Sequence, residues 1–540
     1  MTEIRENSGS LTAQSAWLMF AKIIGFALSF VLPLVIYRRL SQAEVGIYQQ
    51  VFLLIATASA LLPFGVSMSA YYFLARDAAR RPFYVFNILL FNFLVGGLTC
   101  LFLTIYPQLL GRFFGDAEMT NFAPQIGLVI WIWVFSSFLE IAPVANGEAR
   151  LATVFIIFSQ LTKMLLMVSA VVFFGTVGAL LAAALLQAIL QSIVLLGYLN
   201  SRFRGFGRSF DRRIFSEQLK YALPFGAAGI LWIVQTDAHN YFIGYHFTLE
   251  EMAIYRAGVF ELPLLGMLSE AVAAVMIPRM SALEERGAKS EMIALSVRAS
   301  EKLALFYFPA YVFFLITAQT FIVTLFTASF AASASIFLIN ITLLPFYVLN
   351  TDPVVRSFPE LGRFLFRIRI VIVALMILTL WFGAQYLDLR AMIVIVVVTA
   401  LVERFVSLKK VCAALGVKAG DFVLLKRIGK TALAAALAGV PTYLSYLAAR
   451  HFAPDWSAKV LNAFVFPAPE KLVETVSGLL ILSLTGAVFV VFYLLGLRFF
   501  SAINEEELEI VKAFFLKLRR RKVRRRSAKA KSAIADSLVK

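Results

Sequence analysis

Long apolar runs constrain this chain more than any other feature of its sequence. Most of them are close to twenty residues long, and short polar segments separate them. About 20 apolar residues in a helix cross the ~30 Å hydrocarbon core of a bilayer, where every backbone polar group must be bonded internally. We therefore predict an all-α integral membrane protein with about fourteen transmembrane helices, near residues 15–37, 46–68, 83–106, 125–144, 151–174, 177–199, 220–245, 252–276, 302–325, 334–350, 369–386, 392–407, 431–449 and 472–497.

The composition agrees with a membrane protein. Of the 540 residues, 61% are hydrophobic and 15% are charged, whereas a soluble domain is nearer half apolar and a quarter charged. The length alone would suit three or four soluble domains, and the apolar runs exclude that organisation.

The basic residues predict the orientation. With the N-terminus in the cytoplasm, 40 of the 50 Lys and Arg residues fall in cytoplasmic segments and 7 in outer segments. This asymmetry follows the positive-inside rule, so we predict that both termini are cytoplasmic. The first apolar run is full length with no small-residue cleavage site after it, and we expect it to be an uncleaved span.

The sequence offers no motif for metal, nucleotide or catalytic chemistry. Cys100, Cys412 and the three histidines lack metal-ligand spacing, and Gly429-Lys430-Thr431 lacks the earlier glycine of a phosphate-binding loop. We predict no metal, no cofactor, no catalytic residue and no nucleic-acid partner. The basic amphipathic stretch after Asn504 instead predicts an interfacial helix on anionic lipid.

A short internal repeat predicts two lobes. Residues 40–49 (LSQAEVGIYQ) resemble residues 247–256 (FTLEEMAIYR), six predicted spans later. Because six is even, both copies cross the membrane in the same direction, as in transporters built from two parallel lobes. We predict two parallel six-helix lobes plus two extra C-terminal helices: 1–200, the N-terminal lobe; 201–411, the C-terminal lobe; 412–498, two additional helices; and 499–540, a basic cytoplasmic tail.

Several segments resemble one known family. They are residues 37–48 (YRRLSQAEVGIY), 219–224 (LKYALP), Asp237, Ile243-Gly244, Ala253-Ile254-Tyr255 and Ile277-Pro278-Arg279. Together these segments are similar to polysaccharide-export flippases of the multidrug/oligosaccharidyl-lipid/polysaccharide exporter superfamily. The resemblance extends over residues 10–410.

The resemblance implies a flippase rather than an enzyme. Its cargo would be an undecaprenyl-diphosphate-linked oligosaccharide, moved by alternating access from the cytoplasmic to the outer leaflet of the bacterial cytoplasmic membrane. Membrane lipids and the polysaccharide polymerase machinery would be its partners. Two other transport functions stay open, a cation-coupled multidrug-type exporter and a lipid II flippase. The first predicted helix carries Lys22 where such exporters carry an acid, and it lacks the further arginine of lipid II flippases.

Charges at membrane depth are the candidate site residues, because each costs at least ~2.5 kcal/mol at a helix centre. A diphosphate needs fixed cations, so we expect Lys22, Lys163 and Arg256 to line the cavity that binds the cargo. We expect Asp237 to face a partner in this cavity, such as Lys163 or Arg256. Charge balance or ion coupling would fall to Glu261, His239 and Glu140, and the cytoplasmic mouth would present Arg76, Arg80, Arg356 and Arg363. The alternatives are snorkelling for Lys22 and Arg256, structural pairing for Lys163, polar packing for His239, and topology alone for the arginines of the mouth.

Overall fold

In a computed structural model the protein is all-helical over the residues described, which are 31–77, 79–208, 210–464 and 470–502. The first ten helices are α1 Val31–Arg39, α2 Gln42–Leu61, α3 Ala70–Arg76, α4 Arg81–Ile105, α5 Gln108–Phe114, α6 Ala117–Ser136, α7 Phe138–Ala145, α8 Ala149–Phe173, α9 Val177–Arg202 and α10 Arg212–His246. The others are α11 Leu249–Gly258, α12 Pro263–Glu285, α13 Lys289–Phe326, α14 Ser333–Ile341, α15 Leu344–Tyr347, α16 Asp352–Ser357, α17 Pro359–Gly383, α18 Leu389–Leu415, α19 Lys426–Phe464 and α20 Glu470–Phe499.

The helices are those of a multi-pass membrane protein. Within the described residues, 11 helical segments are long and apolar enough to cross a membrane. The difference from the fourteen predicted spans lies in three places. Most of the first span falls outside the described residues, α10 is not among the 11, and Ser333–Tyr347 is a shorter apolar helix.

The eighth predicted span is not continuous, which corrects its prediction as one helix over residues 252–276. Helix α11 ends at Gly258 and α12 begins at Pro263, so Glu261 lies in the interruption. Proline has no N–H to donate and suits the first turn of a helix, which explains the restart. A Cβ on Gly258 would collide with the side chain of Ile336, so α11 ends where it packs closely on α14.

The second span is interrupted in a similar way. Helix α2 ends at Leu61, and the chain resumes as α3 at Ala70. Between them Phe64 and Gly65 have positive φ angles of 47° and 75°. Helices α2 and α11 are therefore each followed by a bend and a further helix.

The two interrupted spans also begin in the same way. Ser41 and Glu44 form a capping box at the start of α2, and Thr248 and Glu251 form one at the start of α11. In each box the hydroxyl accepts from the backbone N–H three residues on, and the glutamate accepts from the backbone N–H of the capping residue. The segments that match in sequence thus share their local structure.

Helices α2 and α11 cross closely at one end of the bundle. Gly46 lies so near the backbone of Leu249 that a Cβ there would overlap its carbonyl oxygen. We call this the closed end and define it by residues 38–49, 249–256 and 324–330; the opposite end, where α3 ends and α10 begins, is the basic end. Toward the basic end α3 packs on α4 and α7, whereas α12 packs on α13 and α16.

The last two helices form a hairpin against α13. Helices α19 and α20 pack on each other and both contact α13. Gly496 lies against Ala434 of α19, and Gly478 of α20 lies against the side chain of Thr324. This second contact brings the hairpin to the closed end.

Candidate functional site

A chain of hydrogen bonds crosses the closed end. Arg256 Nε on α11 donates to Gln49 Oε1 on α2 at 3.3 Å, and Gln49 Nε2 donates to the Tyr37 hydroxyl on α1 at 2.8 Å. Tyr37 is only 4% exposed because its ring lies against Phe326 and Phe330, with centroids 4.5 and 4.7 Å away. Arg256 is therefore fixed to the first part of the chain.

Asp237 and His239 lie beside this arginine but face different partners. The half-buried Asp237 adjoins Thr57, and the Arg256 guanidinium acts on it electrostatically. His239 is 7% exposed, and its Nδ1 lies 2.9 Å from the Tyr255 hydroxyl. Three of the predicted site residues are thus brought together where α2, α10 and α11 meet.

Lys163 belongs to a second cluster, between α6, α7 and α8. Its Nζ lies 4.4 Å from the centre of the Trp133 ring, a cation–π contact. Glu140 is half-buried and interacts with Lys163 through its charge, but the two do not form an ion pair in the part of the chain that the structure describes. The ammonium therefore lies against an aromatic face, and Glu140 acts on it without direct contact.

The structure adds a charged cluster that the sequence analysis missed. Glu403 on α18 accepts from Nε and Nη2 of Arg369 on α17, at 2.9 and 2.7 Å, and it also accepts from Gln235 on α10. The Arg369 guanidinium lies 5.5 Å from the centre of the Trp232 ring. These contacts tie α10, α17 and α18 together.

Arg404, next to Glu403, forms a further cationic position. Its Nη1 donates to the carbonyl oxygens of Phe346 and Leu349 at 2.9 and 3.3 Å, and its guanidinium lies 4.5 Å from the Tyr347 ring centre. Glu261, exposed in the bend between α11 and α12, acts electrostatically on the same tyrosine. The available signal for Arg369, Glu403 and Arg404 was their position within or beside apolar runs.

The arginines predicted at the mouth sit at the basic end with local partners. Arg76 contacts Tyr72 one turn earlier, Arg80 pairs with Asp77 at 3.6 Å, and Arg356 pairs with Asp352 at 2.9 Å. Arg363 is exposed on α17. Lys22 lies outside the described residues.

Across the described ranges no three His, Cys, Asp or Glu side chains gather closely enough to hold a metal ion. The clusters instead combine cations with aromatic rings, amides and single carboxylates. Such groups bind anions and polar ligands rather than metals.

One family model matches the chain over more than half of its length. Residues 35–335 match the family model described as "Polysaccharide biosynthesis protein". No curated protein sequence matches the chain.

Solved structures share the fold. One described as "Lipid II flippase MurJ, inward closed conformation" aligns with a TM-score of 0.63 at 14% identity, over 90% of this chain and 99% of that one. A structure described as that of a "MOP superfamily transporter from Pyrococcus furiosus" aligns with a TM-score of 0.50 at 18% identity, over 75% of this chain and 95% of that one. A multidrug resistance MATE transporter in its inward-facing conformation aligns with a TM-score of 0.53 at 17% identity, over 73% and 98%.

The family match covers more than half of the chain, and these structures share its all-helical fold. The protein belongs to the polysaccharide biosynthesis protein family, and it shares its fold with the flippase and transporter structures named above.

Proposed function

We propose that the protein moves an undecaprenyl-diphosphate-linked oligosaccharide from the cytoplasmic to the outer leaflet by alternating access. The contact between Gln49 and Arg256 carries this proposal. The two residues are 207 positions apart, the spacing of the repeat, so equivalent points of two similar segments meet at one end of the bundle. Two lobes that touch at one end of the bundle can separate there and close at the opposite end, which is the motion of alternating access.

Unpaired cations at membrane depth support a diphosphate cargo. In the ranges that the structure describes, Lys163, Arg256 and Arg404 form no ion pair with a carboxylate. Fixed cations in a low-dielectric path lower the cost of carrying a diphosphate across it. An exporter of cations would be better served by unpaired acids, whereas Glu403 is paired with Arg369.

The membrane placement follows from the charges. The basic end carries the arginine- and lysine-rich segments 202–220, 279–302 and 409–430, so it is the cytoplasmic end and the closed end faces outward. Both termini are then cytoplasmic, and the basic tail meets anionic lipid of the bacterial cytoplasmic membrane. The released glycan would pass to polysaccharide polymerase machinery outside.

The test is glycan accumulation in cells depleted of the protein. Complete lipid-linked repeat units should build up facing the cytoplasm. Wild-type protein and Lys302→Ala, which alters an exposed lysine of α13, should relieve the build-up, whereas Lys163→Ala should not.

Three outcomes would replace the proposal. Build-up of lipid II in place of oligosaccharide would favour the lipid II flippase. Sensitivity to lipophilic cations with no lipid-linked build-up would favour the exporter. Full relief of the build-up by Lys163→Ala would show that transport does not need the charge of Lys163, and the proposed cationic path would be wrong.

A further inference from the structure

Arg38, at the end of α1, contacts three separate parts of the chain. Its Nη1 donates to the carbonyl oxygens of Leu34 and Leu325, both at 3.0 Å, and its Nη2 donates to that of Thr324 at 2.6 Å. Nη2 also reaches Thr475 Oγ1 on α20 at 3.3 Å. One side chain therefore links the first helix, the end of α13 and the C-terminal hairpin.

The contact with α13 has a clear physical basis. The last four carbonyl groups of a helix have no partner within it, and the helix dipole places partial negative charge there. Helix α13 ends at Phe326, so Thr324 and Leu325 lie in this last turn. The guanidinium of Arg38 thus caps a helix from across the closed end.

Helix α20 holds the same turn from the other side. Gly478 leaves no room for a Cβ against the Thr324 hydroxyl, so α20 packs directly on the capped turn. Glu474, half-buried on α20, attracts the Arg38 guanidinium electrostatically. The hairpin therefore supplies a charge and a hydroxyl that favour the capping position of Arg38.

We propose that α20 is part of the closing mechanism at this end, with Glu474 and Thr475 as positioning residues that hold Arg38 over the last turn of α13. This inference rests on the alternating access of the proposed function. Opening the closed end requires α1 to leave α13. The two additional helices then set how readily it opens, in addition to enlarging the bundle.

The experiment measures the opening of the closed end directly, with no cargo. Ala253 is fully buried at this end and, in a Cys100→Ala/Cys412→Ala background, Ala253→Cys reports its opening. The full-length protein is placed in lipid nanodiscs, where both faces are accessible, and the rate of labelling by a soluble maleimide is followed.

We call the contacts of Arg38 with α13 and α20 the clamp, and removing them should speed labelling. Hydrogen bonds to a charged group are each worth about tenfold or more in an equilibrium. We expect Arg38→Gln to raise the rate about tenfold or more, Glu474→Gln and Thr475→Val about threefold each, and Arg38→Lys by an intermediate factor. The neighbours Arg39→Gln and Glu470→Gln, both exposed, serve as matched controls and should leave the rate unchanged.

A double variant separates clamping from general loosening. In an Arg38→Gln background, Glu474→Gln should add nothing, because the guanidinium on which Glu474 acts has been removed. Unchanged labelling with Glu474→Gln and Thr475→Val, or equal effects with and without Arg38, would overturn the inference. Size-exclusion profiles identify any variant that fails to fold. If Arg38→Gln fails, the labelling rate of Arg38→Lys, which keeps the charge, is measured in its place.

The labelling rates do not depend on the cargo. If they follow this pattern and depleted cells accumulate no lipid-linked glycan, the clamp stands and the proposed cargo fails. If glycan accumulates while the labelling ignores α20, the cargo stands and the clamp fails.

Discussion

Gly46 on α2 and the backbone carbonyl of Leu249 on α11 lie in direct contact, with no room for a side chain between them. Two helix starts with the same capping box meet at this point. The closeness of the crossing depends on the absence of one Cβ, so the closed end should respond strongly to substitutions at residue 46.

Gly46→Val should prevent the closed end from forming. Overpacking costs about 1–3 kcal/mol where side chains can yield, and here the obstacle is backbone. We expect fast maleimide labelling of Ala253→Cys in nanodiscs and a loss of glycan transport in complemented cells. Gly197→Val is the control, because among the described residues no atom outside its own stretch of helix backbone lies within 4 Å of a Cβ there. Equal labelling of the two variants would contradict the prediction.

Arg256 should serve the cargo mainly through its charge. Arg256→Gln removes the cation and should lower the rate of translocation in proteoliposomes at least about tenfold, because a charge-assisted contact is lost. Arg256→Lys keeps the charge, loses the bond to Gln49, and should retain most of the rate. Arg112→Gln, at an exposed arginine, should transport normally. Wild-type rates with Arg256→Gln would mean that this residue has no contact with the cargo.

Arg369 should contribute to stability through Glu403. Replacing it with Met leaves a carboxylate that is 13% exposed without its partner. Breaking a buried pair from one side costs about 3–5 kcal/mol, and we expect about 3 kcal/mol because a third of the Arg369 side chain stays exposed. The measurement is the free energy of unfolding in detergent micelles.

A second ion pair provides the control for Arg369. Arg356 and Asp352 form a pair of similar length whose side chains are 62% and 50% exposed. Arg356→Met should cost under about 1 kcal/mol, since surface pairs contribute little. Equal losses for the two variants would show that the Glu403 pair is well solvated.

The capping boxes should each stabilise one helix start. Thr248→Ala and Ser41→Ala remove a hydroxyl that accepts from a backbone N–H and should each cost about 1 kcal/mol in the free energy of unfolding. Thr248→Ser keeps the hydroxyl and should cost less. Thr379→Ala, at an exposed position inside α17, gives the background value. A Thr248→Ala loss no larger than the Thr379→Ala loss would contradict the role of the cap.

The class of fold could be predicted from the sequence, because a membrane-spanning segment needs enough apolar length and an internally bonded backbone. Both requirements are met by long apolar helices. It also predicted the repeat around Ser41 and Thr248, where a capping box has its own sequence signature. The break between Gly258 and Pro263 escaped prediction, because averaging over about twenty residues does not register a four-residue interruption. Pro263 was the available signal.

The candidate site could be predicted only in part. Arg256 and Asp237 stand out in a sequence because they interrupt apolar runs, and the structure places them together. Their neighbours could not be identified, because hydropathy carries no information on which helices touch. Arg369 and Glu403 are 34 residues apart in the chain, and only the packing of α17 on α18 brings them together. The arrangement of these charges into one path for the cargo stays a prediction.

The hydrogen bond between Gln49 and Arg256 has a consequence for how such a protein could arise. If two identical half-length chains formed a symmetric dimer, residues on the symmetry axis would meet their own copies, so arginine would face arginine and repel it. Once two copies are fused into one gene, each position can change alone. An amide can then face a guanidinium on the axis, and a single positive charge becomes available at a place where a homodimer has either two or none.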